Sequence, residues 1–498
     1  MAVSQTSSGT QEYGDGGAYD GEFLNGLPHG NGTYELPNGY RYVGEWFEGE
    51  INGQGEALFP NGSVYVGSFV KGKPEGSGKI TFSDSGTYEG EWVNGSITGV
   101  GYAKYANGTT YQGTFLDAMH NGNGVMKSPD GYIYDGTWEN GVKQGTAKVT
   151  YPDGSTYTGE VSQGLREGKG RLEMPEGLAY EGTWKAGEIN GEGQLSQKNG
   201  DIYKGTLVNG RREGLGKVTY ANGDLYEGNF SNDQRSGQGK FIGADGYKYE
   251  GSWQEGQIKG EGEVIYPDGS RYAGTFSEGL ADGLGKIIYP DGSSYSGEWL
   301  AGVIEGKGKA TYPNNAVYEG LFRNAMYHGY GVMRFENGYI YEGNWKEGKR
   351  NGVGKATFTD GMIYEGDYLD GQRHGIGTIT LADGFKYTGD WEYGEITGVG
   401  IATYANGDIY QGSFVKGKRQ GRGTIKFASG ESSSGKWDDG ALVETGSDKL
   451  ILIFTKVLFF YSNQKIDQKI LVLNFRLAAE YSWKRLEVKQ QDGGQDIF

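Results

Sequence analysis

The sequence predicts an all-β protein, an elongated single-layer antiparallel meander sheet of consecutive β-hairpins, followed by a short C-terminal tail whose structure it leaves open. Three observations carry this. A tyrosine recurs every 23 residues, from Tyr19, Tyr42, Tyr65 and Tyr88 on to Tyr410, giving eighteen units without insertion or deletion. Glycine is written into that period. It fills the third and twelfth positions in all eighteen units, the fourteenth in 17, the twenty-first in 16 and the eighth in 15, so five slots hold 84 of the 95 glycines. Around them, apolar and polar residues alternate with period two, the mark of strands with one buried face.

The elements of a unit follow in order. Its first strand carries Tyr, Gly and an aromatic at positions one, three and five, with Glu, Gln, Thr and Ser between them. A wide loop is expected next, flanked by the eighth and twelfth glycines, where positive φ is needed. The second strand has an apolar sixteenth position in every unit (Ala57, Ile80, Val149) and usually Tyr or Phe at the eighteenth (Phe59, Tyr151, Tyr312). The unit closes on Asn-Gly or Asp-Gly, as at Asn61-Gly62 and Asp153-Gly154. Such pairs tolerate positive φ at both residues and make tight hairpins. The third and fourteenth glycines answer a different need. Aromatic rings are wider than the roughly 4.8 Å between strands, so a ring lies flat only over a residue without a side chain. A reading in which glycine serves turns alone leaves those two slots unexplained. A lone unit buries too little to fold, and stacked units share faces and ladders. At about 4.8 Å per strand, eighteen hairpins would make a rod on the order of 170 Å long.

Composition removes other classes. A chain with 14% aromatics and only 10 prolines in 498 residues is neither collagen nor a disordered linker. Without cysteine there are no disulfides, thiolate zinc sites or cysteine nucleophiles. The net charge of −17 counts against nucleic-acid binding. No secretory signal opens the chain and no apolar run reaches 18 residues, so no transmembrane segment is expected.

The expected organisation is a disordered segment over 1–18, the array over 19–442, and a tail over 443–498. At the fifth position, Trp recurs in the same order when the array is offset by 207 residues, and NGVMKSPDGYIY ending at Tyr134 parallels YGVMRFENGYIY ending at Tyr341. The array therefore reads as two duplicated nine-unit blocks, 19–225 and 226–432, plus a partial repeat over 433–442 in which Ser433 replaces Tyr. In the tail, three readings stay open: Leu450–Tyr461 as a cap on the sheet edge, an amphipathic helix through Ile470, Leu473, Leu477 and Tyr481, or a gene-model artefact.

The pattern Tyr-x-Gly-x-Trp-x-x-Gly followed by Gly-x-Gly, as in YEGSWQEGQIKGEG over Tyr249–Gly262, resembles the MORN (membrane occupation and recognition nexus) repeat. The resemblance runs from Tyr19 to Leu442. It implies a single-layer sheet used for interaction: a scaffold at membranes, cytoskeleton or cilia, often self-associating. Some members add a lipid-kinase or lysine-methyltransferase domain, and the 56 residues after the array are too few for either.

Trp46, Trp92, Trp138, Trp184, Trp253, Trp299, Trp345 and Trp391 are the expected anchors of a partner-binding face, since Trp and Tyr dominate hot spots; the alternative is that the rings only stabilise the array. Lys416, Lys418, Arg419 and Arg422 are candidate contacts to phospholipid headgroups; the alternative is a solvated loop. His29, His120, His328 and His374 fall at the tenth or eleventh position and are expected on the surface of the wide loop. No catalytic constellation, metal site or cofactor is expected. The Gly-x-Gly pairs lack the Lys and following helix of a phosphate loop, and the 23-residue period is not that of calcium-binding β-rolls. The expected role is a non-catalytic cytoplasmic scaffold that binds protein partners or itself, peripheral at membrane or cytoskeleton. The alternative role is a phospholipid-binding regulatory module like the repeat region of phosphatidylinositol-phosphate kinases.

Overall fold

The computed structural model describes residues 5–445; the expectations for Leu450–Tyr461 and for the helix beyond it lie outside them. The chain contacts separate the described residues into two units, one of 5–244 with 254–256 and one of 245–253 with 257–445. Both contain strands and no helix among the described residues. In the first unit each strand from Thr6–Glu12 to Gln234–Ile242 pairs antiparallel with its successor, and in the second the same holds from Gln257–Ile265 to Ala441–Thr445. Within each unit every extensive contact joins successive strands, so each is a single-layer meander. The fold class is the one the alternation predicts.

One period shows how the sequence builds it. The strand Arg41–Phe47 leads through Glu48-Gly49 into the strand Glu50–Leu58, and Phe59–Ser63 turns the chain into Val64–Val70. Tyr42 pairs with Ala57 and Gly44 with Gly55, whereas Trp46 pairs with Ile51. Two extra residues of the longer strand are therefore bulged, and Gly53 in the bulge has φ 114°.

Both turns differ from expectation. The wide loop between the eighth and twelfth glycines is a two-residue turn plus this bulge. Positive φ at both residues occurs there, at Glu48 (50°) and Gly49 (90°), or Asn94 (52°) and Gly95 (87°), as a tight primed turn requires. At the Asn-Gly closing the unit only the glycine is left-handed: Gly62 has φ 86° while Asn61 is not among the positive-φ residues. Here Gly62 N–H donates to Phe59 O (2.9 Å), Phe59 N–H to Ser63 O (2.8 Å), and Asn61 Oδ1 accepts from Ser63 N–H (2.9 Å). This is a longer turn ended by a left-handed glycine, with the Asn side chain closing it as an Asx turn.

The ring-over-glycine account holds. A Cβ built on Gly44 would lie 2.5 Å from the Tyr42 hydroxyl and from the Gly55 Cα, and one on Gly55 would enter the Tyr42 ring. The ring lies across both glycines, and its hydroxyl donates to Glu45 O at 3.0 Å. Where the fifth position is aromatic, edge contacts link these Tyr to the rings of their own and the next repeat, as from Tyr65 to Phe69 and to Trp92, both at 5.0 Å.

The expected disorder is corrected for the described residues 5–18. Thr6–Glu12 is a strand paired with Ala18–Leu24 in the register Gly9↔Gly21. The turn between them repeats the pattern of the others, with Gly16 N–H donating to Tyr13 O and Asp15 Oδ1 accepting from Gly17 N–H. Gly9, Tyr13 and Asp15-Gly16 stand where a preceding degenerate unit would have them, but polar Gln11 occupies its sixteenth position. That polar residue hid the half-repeat.

Candidate partner-binding groove

The first-position tyrosines form the floor of a groove in each unit and are 0–2% exposed. Beside them lie the tryptophans. Trp184 and Trp391 are 2% and 3% exposed, Trp92, Trp138 and Trp253 5–6%, and Trp46, Trp299 and Trp345 9%. Their ring nitrogens are turned inward too. Trp92 Nε1 donates to Gly78 O and Trp391 Nε1 to Gly377 O, the fourteenth-position carbonyl one repeat back. As placed, these eight rings present under a tenth of their surface.

On the face that carries these tyrosines, the outward-facing rings stand at the eighteenth position, although Tyr404 there is buried. Phe82, Tyr105 and Tyr289 are 36–39% exposed, and Phe59, Tyr151, Tyr220, Tyr266 and Phe335 are half-buried. They stand where the second strand enters its turn, along one wall of the groove. The opposite wall is the tenth position, which the bulge sets across from the fifth-position ring. It is aliphatic at Ile51, Ile97, Ile189, Ile304 and Ile396, and cationic at Lys143, Arg166, Arg212, Arg350, Arg373 and Arg419. The cations lie on rings: Arg166 Cζ is 4.1 Å from the Trp184 centroid, Arg373 Cζ 4.5 Å from Trp391, and Lys143 Nζ 4.5 Å from Tyr132. Tyr151, Pro152, Ser155, Arg166, Leu172 and Met174, with Asp153, line an open cavity of about 420 Å³ between the walls. Sequence reasoning missed this wall, because a strand interrupted by glycine at positions twelve and fourteen looks like a loop.

His120 is therefore corrected as well. It lies in the strand Met119–Lys127, stacked on Tyr111 with centroids 3.7 Å apart, and its Nε2 is 2.6 Å from Tyr105 Oη. Burial pushes its imidazole down to about 4. The same arrangement recurs 207 residues on, where Tyr327 stacks on Tyr318 and meets Tyr312 Oη. Likewise Lys143 Nζ donates to Tyr132 Oη at 2.8 Å and Arg350 Nη1 to Tyr339 Oη at 2.7 Å. His29 sits 5.4 Å from the Phe47 ring and His374 6.0 Å from Tyr393.

The four lipid candidates are not brought together. Arg419 lies in the groove, 4.1 Å from the Trp437 centroid, with Nη2 donating to Gly440 O. Lys418 pairs with Asp439 at 2.6 Å. Lys416 occupies the tight turn at φ 47°, and Arg422 pairs in register with Lys436. Among the described residues, no three His, Cys, Asp or Glu converge as metal ligands would, and no helix is long and apolar enough to cross a membrane.

The face away from the rings holds a feature the sequence reading passed over. Tyr330, Val353, Ile376 and Val399 are thirteenth-position residues of four successive repeats, each 43–59% exposed. Their counterparts 207 residues earlier are Asn123, Thr146, Lys169 and Glu192, so the contrast between the two blocks is legible in the sequence.

The MORN repeat model matches the chain in eighteen segments from 19–39, 42–64 and 65–87 through to 410–432. No curated protein matches. Among solved structures, the chain is similar to the TCP10 domain of Danio rerio CPAP in complex with a peptide of Danio rerio STIL (13% identity, 67% of this chain and 97% of that one, TM-score 0.13). It is also similar to the SAS-4 (dCPAP) TCP domain of Drosophila melanogaster in complex with a proline-rich motif of Ana2 (14%, 41% and 85%, TM-score 0.16), and to a streptogramin B lyase (12%, 61% and 94%, TM-score 0.11). At those scores the three structures carry no argument about function.

Proposed function

The chain belongs to the MORN repeat family, and from that premise we propose that it is a non-catalytic scaffold binding protein partners along its ring-lined groove, in the cytoplasm, at a boundary of membrane and cytoskeleton. Repeats of this family make interaction or scaffold proteins. The observation that carries the finer reading is the row of outward-facing eighteenth-position rings above a floor of buried tyrosines. Half-exposed aromatics arrayed in a row are what a binding surface offers and what the stability of the sheet does not need. The eight tryptophans support those rings from below in this reading. The phospholipid alternative draws on the basic residues Lys416, Lys418 and Arg422.

Affinity capture with the full chain, compared with a Phe82→Ser/Tyr151→Ser/Tyr289→Ser chain, tests the proposal. The expected result is loss of specific partners in the variant with melting unchanged within a few degrees. Identical captured sets would overturn it. Sedimentation with phosphoinositide vesicles, lost on Lys416→Gln/Lys418→Gln/Arg422→Gln, would establish the lipid reading in its place.

A further inference from the structure

We propose that the groove selects an extended acidic peptide, holding ligand carboxylates three residues apart on the cations of consecutive repeats. This rests on the groove being the partner site and names the chemistry it takes. Four cations of the tenth position carry the argument, whereas Arg212 at the same position pairs with Asp233. Lys143 and Arg166 occupy consecutive repeats of the first unit, and Arg350 and Arg373 consecutive repeats of the second. All four lie against aromatic rings, with cation-to-centroid distances of 4.1–5.2 Å at the nearest ring. None makes an ion pair among the described residues, although the chain has 64 acidic side chains to offer. Their hydrogen bonds go to neutral oxygens: Lys143 to Tyr132 Oη, Arg166 to Gly187 O, Arg350 to Tyr339 Oη. Arg373 leaves Nη1 buried without an acceptor. Burial also lowers the Lys143 ammonium from its ordinary range, a group already partly stripped of water. Cations held on rings and short of carboxylates complement an anionic ligand.

Spacing sets the ligand's form. Consecutive tenth positions are two strands apart, about 9.4–9.8 Å. Three residues of a polyproline II chain span about 9.3 Å, and three of an extended chain about 10 Å. A peptide running across the strands thus meets one repeat per three residues, and aromatic-lined grooves favour proline or apolar residues between the charges. A flat anionic membrane fits less well. The cations lie beside the floor, while the turns at the rim carry carboxylates such as Asp153 and Asp291, hydrogen-bonded by their own serines. The chain's overall −17 does not cancel the local field, because charges more than about 8 Å away are screened at physiological salt.

The test uses the full chain and fluorescein-labelled peptides of repeating Glu-Pro-Pro, Gln-Pro-Pro and Glu-Pro-Pro-Pro, matched in length, read by anisotropy. Glu-Pro-Pro should bind at least about tenfold more tightly than either control, less tightly as salt rises. The chain carrying Lys143→Gln, Arg166→Gln, Arg350→Gln and Arg373→Gln should lose about tenfold or more, whereas Arg166→Lys with Arg373→Lys should keep most of the binding. If the fourfold variant does not fold, Arg166→Gln against Arg166→Lys decides. Equal affinity for the three peptides, no loss in the glutamine variants, or preference for phosphoinositide vesicles or a single-stranded oligonucleotide would overturn the inference. Nitration of Tyr105 and Tyr289 separates it from the underlying reading. A captured partner that protects those rings while no acidic peptide binds leaves the groove as the site and discards the ligand chemistry; absence of protection discards both.

Discussion

At the scale of the residue, the first-position tyrosine accounts for much of the composition. The Tyr65 ring excludes any side chain from Gly67 and Gly78, its hydroxyl donates to Ser68 O at 3.0 Å, and its edges meet Phe69 and Trp92. Two glycines per repeat follow from ring width and strand spacing, which is why those slots could be read from sequence. The same geometry makes a sharp prediction at Gly343. A Cβ there would stand 2.7 Å from Val353 O and 2.8 Å from Tyr341 Oη, whereas neighbouring Asn344 is exposed. Gly343→Val should destabilise by about 3 kcal/mol or more through overpacking, and Asn344→Val by less than about 0.5 kcal/mol. Denaturant melts giving equal midpoints for the two would refute the account. The eighteenth- and tenth-position walls were not legible in the same way. Their exposure depends on how far the bulge and turn swing the chain, and a Tyr in an alternating pattern reads as buried whether its ring ends under a neighbour, like Tyr111, or at the rim, like Tyr105.

At the scale of the element, the repeat is a strand pair held by two unlike turns. Asn-Gly occurs in both, at Asn94-Gly95 and Asn140-Gly141 as well as at Asn61-Gly62, so the dipeptide alone could not tell which turn is tight; the two-residue spacing to the next strand does. The tight turns are also tied across repeats. Gly49 N–H donates to Pro28 O and Gly72 N–H to Ile51 O, both at 2.8–2.9 Å. An eleventh-position carboxylate accepts the seventh-position amide of the following repeat, as Glu75 does from Asn94 N–H and Glu167 from Ala186 N–H. Fourth-position carboxylates close the bulge, Glu45 accepting from Gln54 N–H and Asp390 from Val399 N–H. Much of the acidity that a sequence count treats as surface charge is thus satisfying backbone amides. Since Ala186 is left-handed at φ 49°, a conformation that Asn tolerates better than Ala, Ala186→Asn should raise stability by about 0.5–1 kcal/mol. A lower urea midpoint would contradict this.

At the scale of the whole chain, the repeated contacts make one titration visible. Burial pushes the hydroxyls of Tyr65, Tyr88, Tyr111 and Tyr157 up to about 12, against about 10 in an unfolded chain. The native state holds these protons longer, so stability is intact below pH 10 and falls as pH rises from about 10 to about 12. The absorbance of these buried tyrosinates and the loss of β-sheet dichroism should therefore appear together in that interval; complete tyrosinate absorbance with the sheet signal unchanged would show the buried tyrosines to be accessible. The meander and its period were legible because eighteen copies average out local ambiguity, while the half-repeat at Thr6–Glu12 escaped because a single degenerate copy offers no such average. The cross-repeat hydrogen bond from the eighth-position glycines after Gly26 has an evolutionary corollary. Losing a full period recreates the same bond with the next repeat along, whereas losing one residue inside a strand would turn every later side chain onto the opposite face. Among relatives of this chain, length should change in steps of one period, like teeth on a comb.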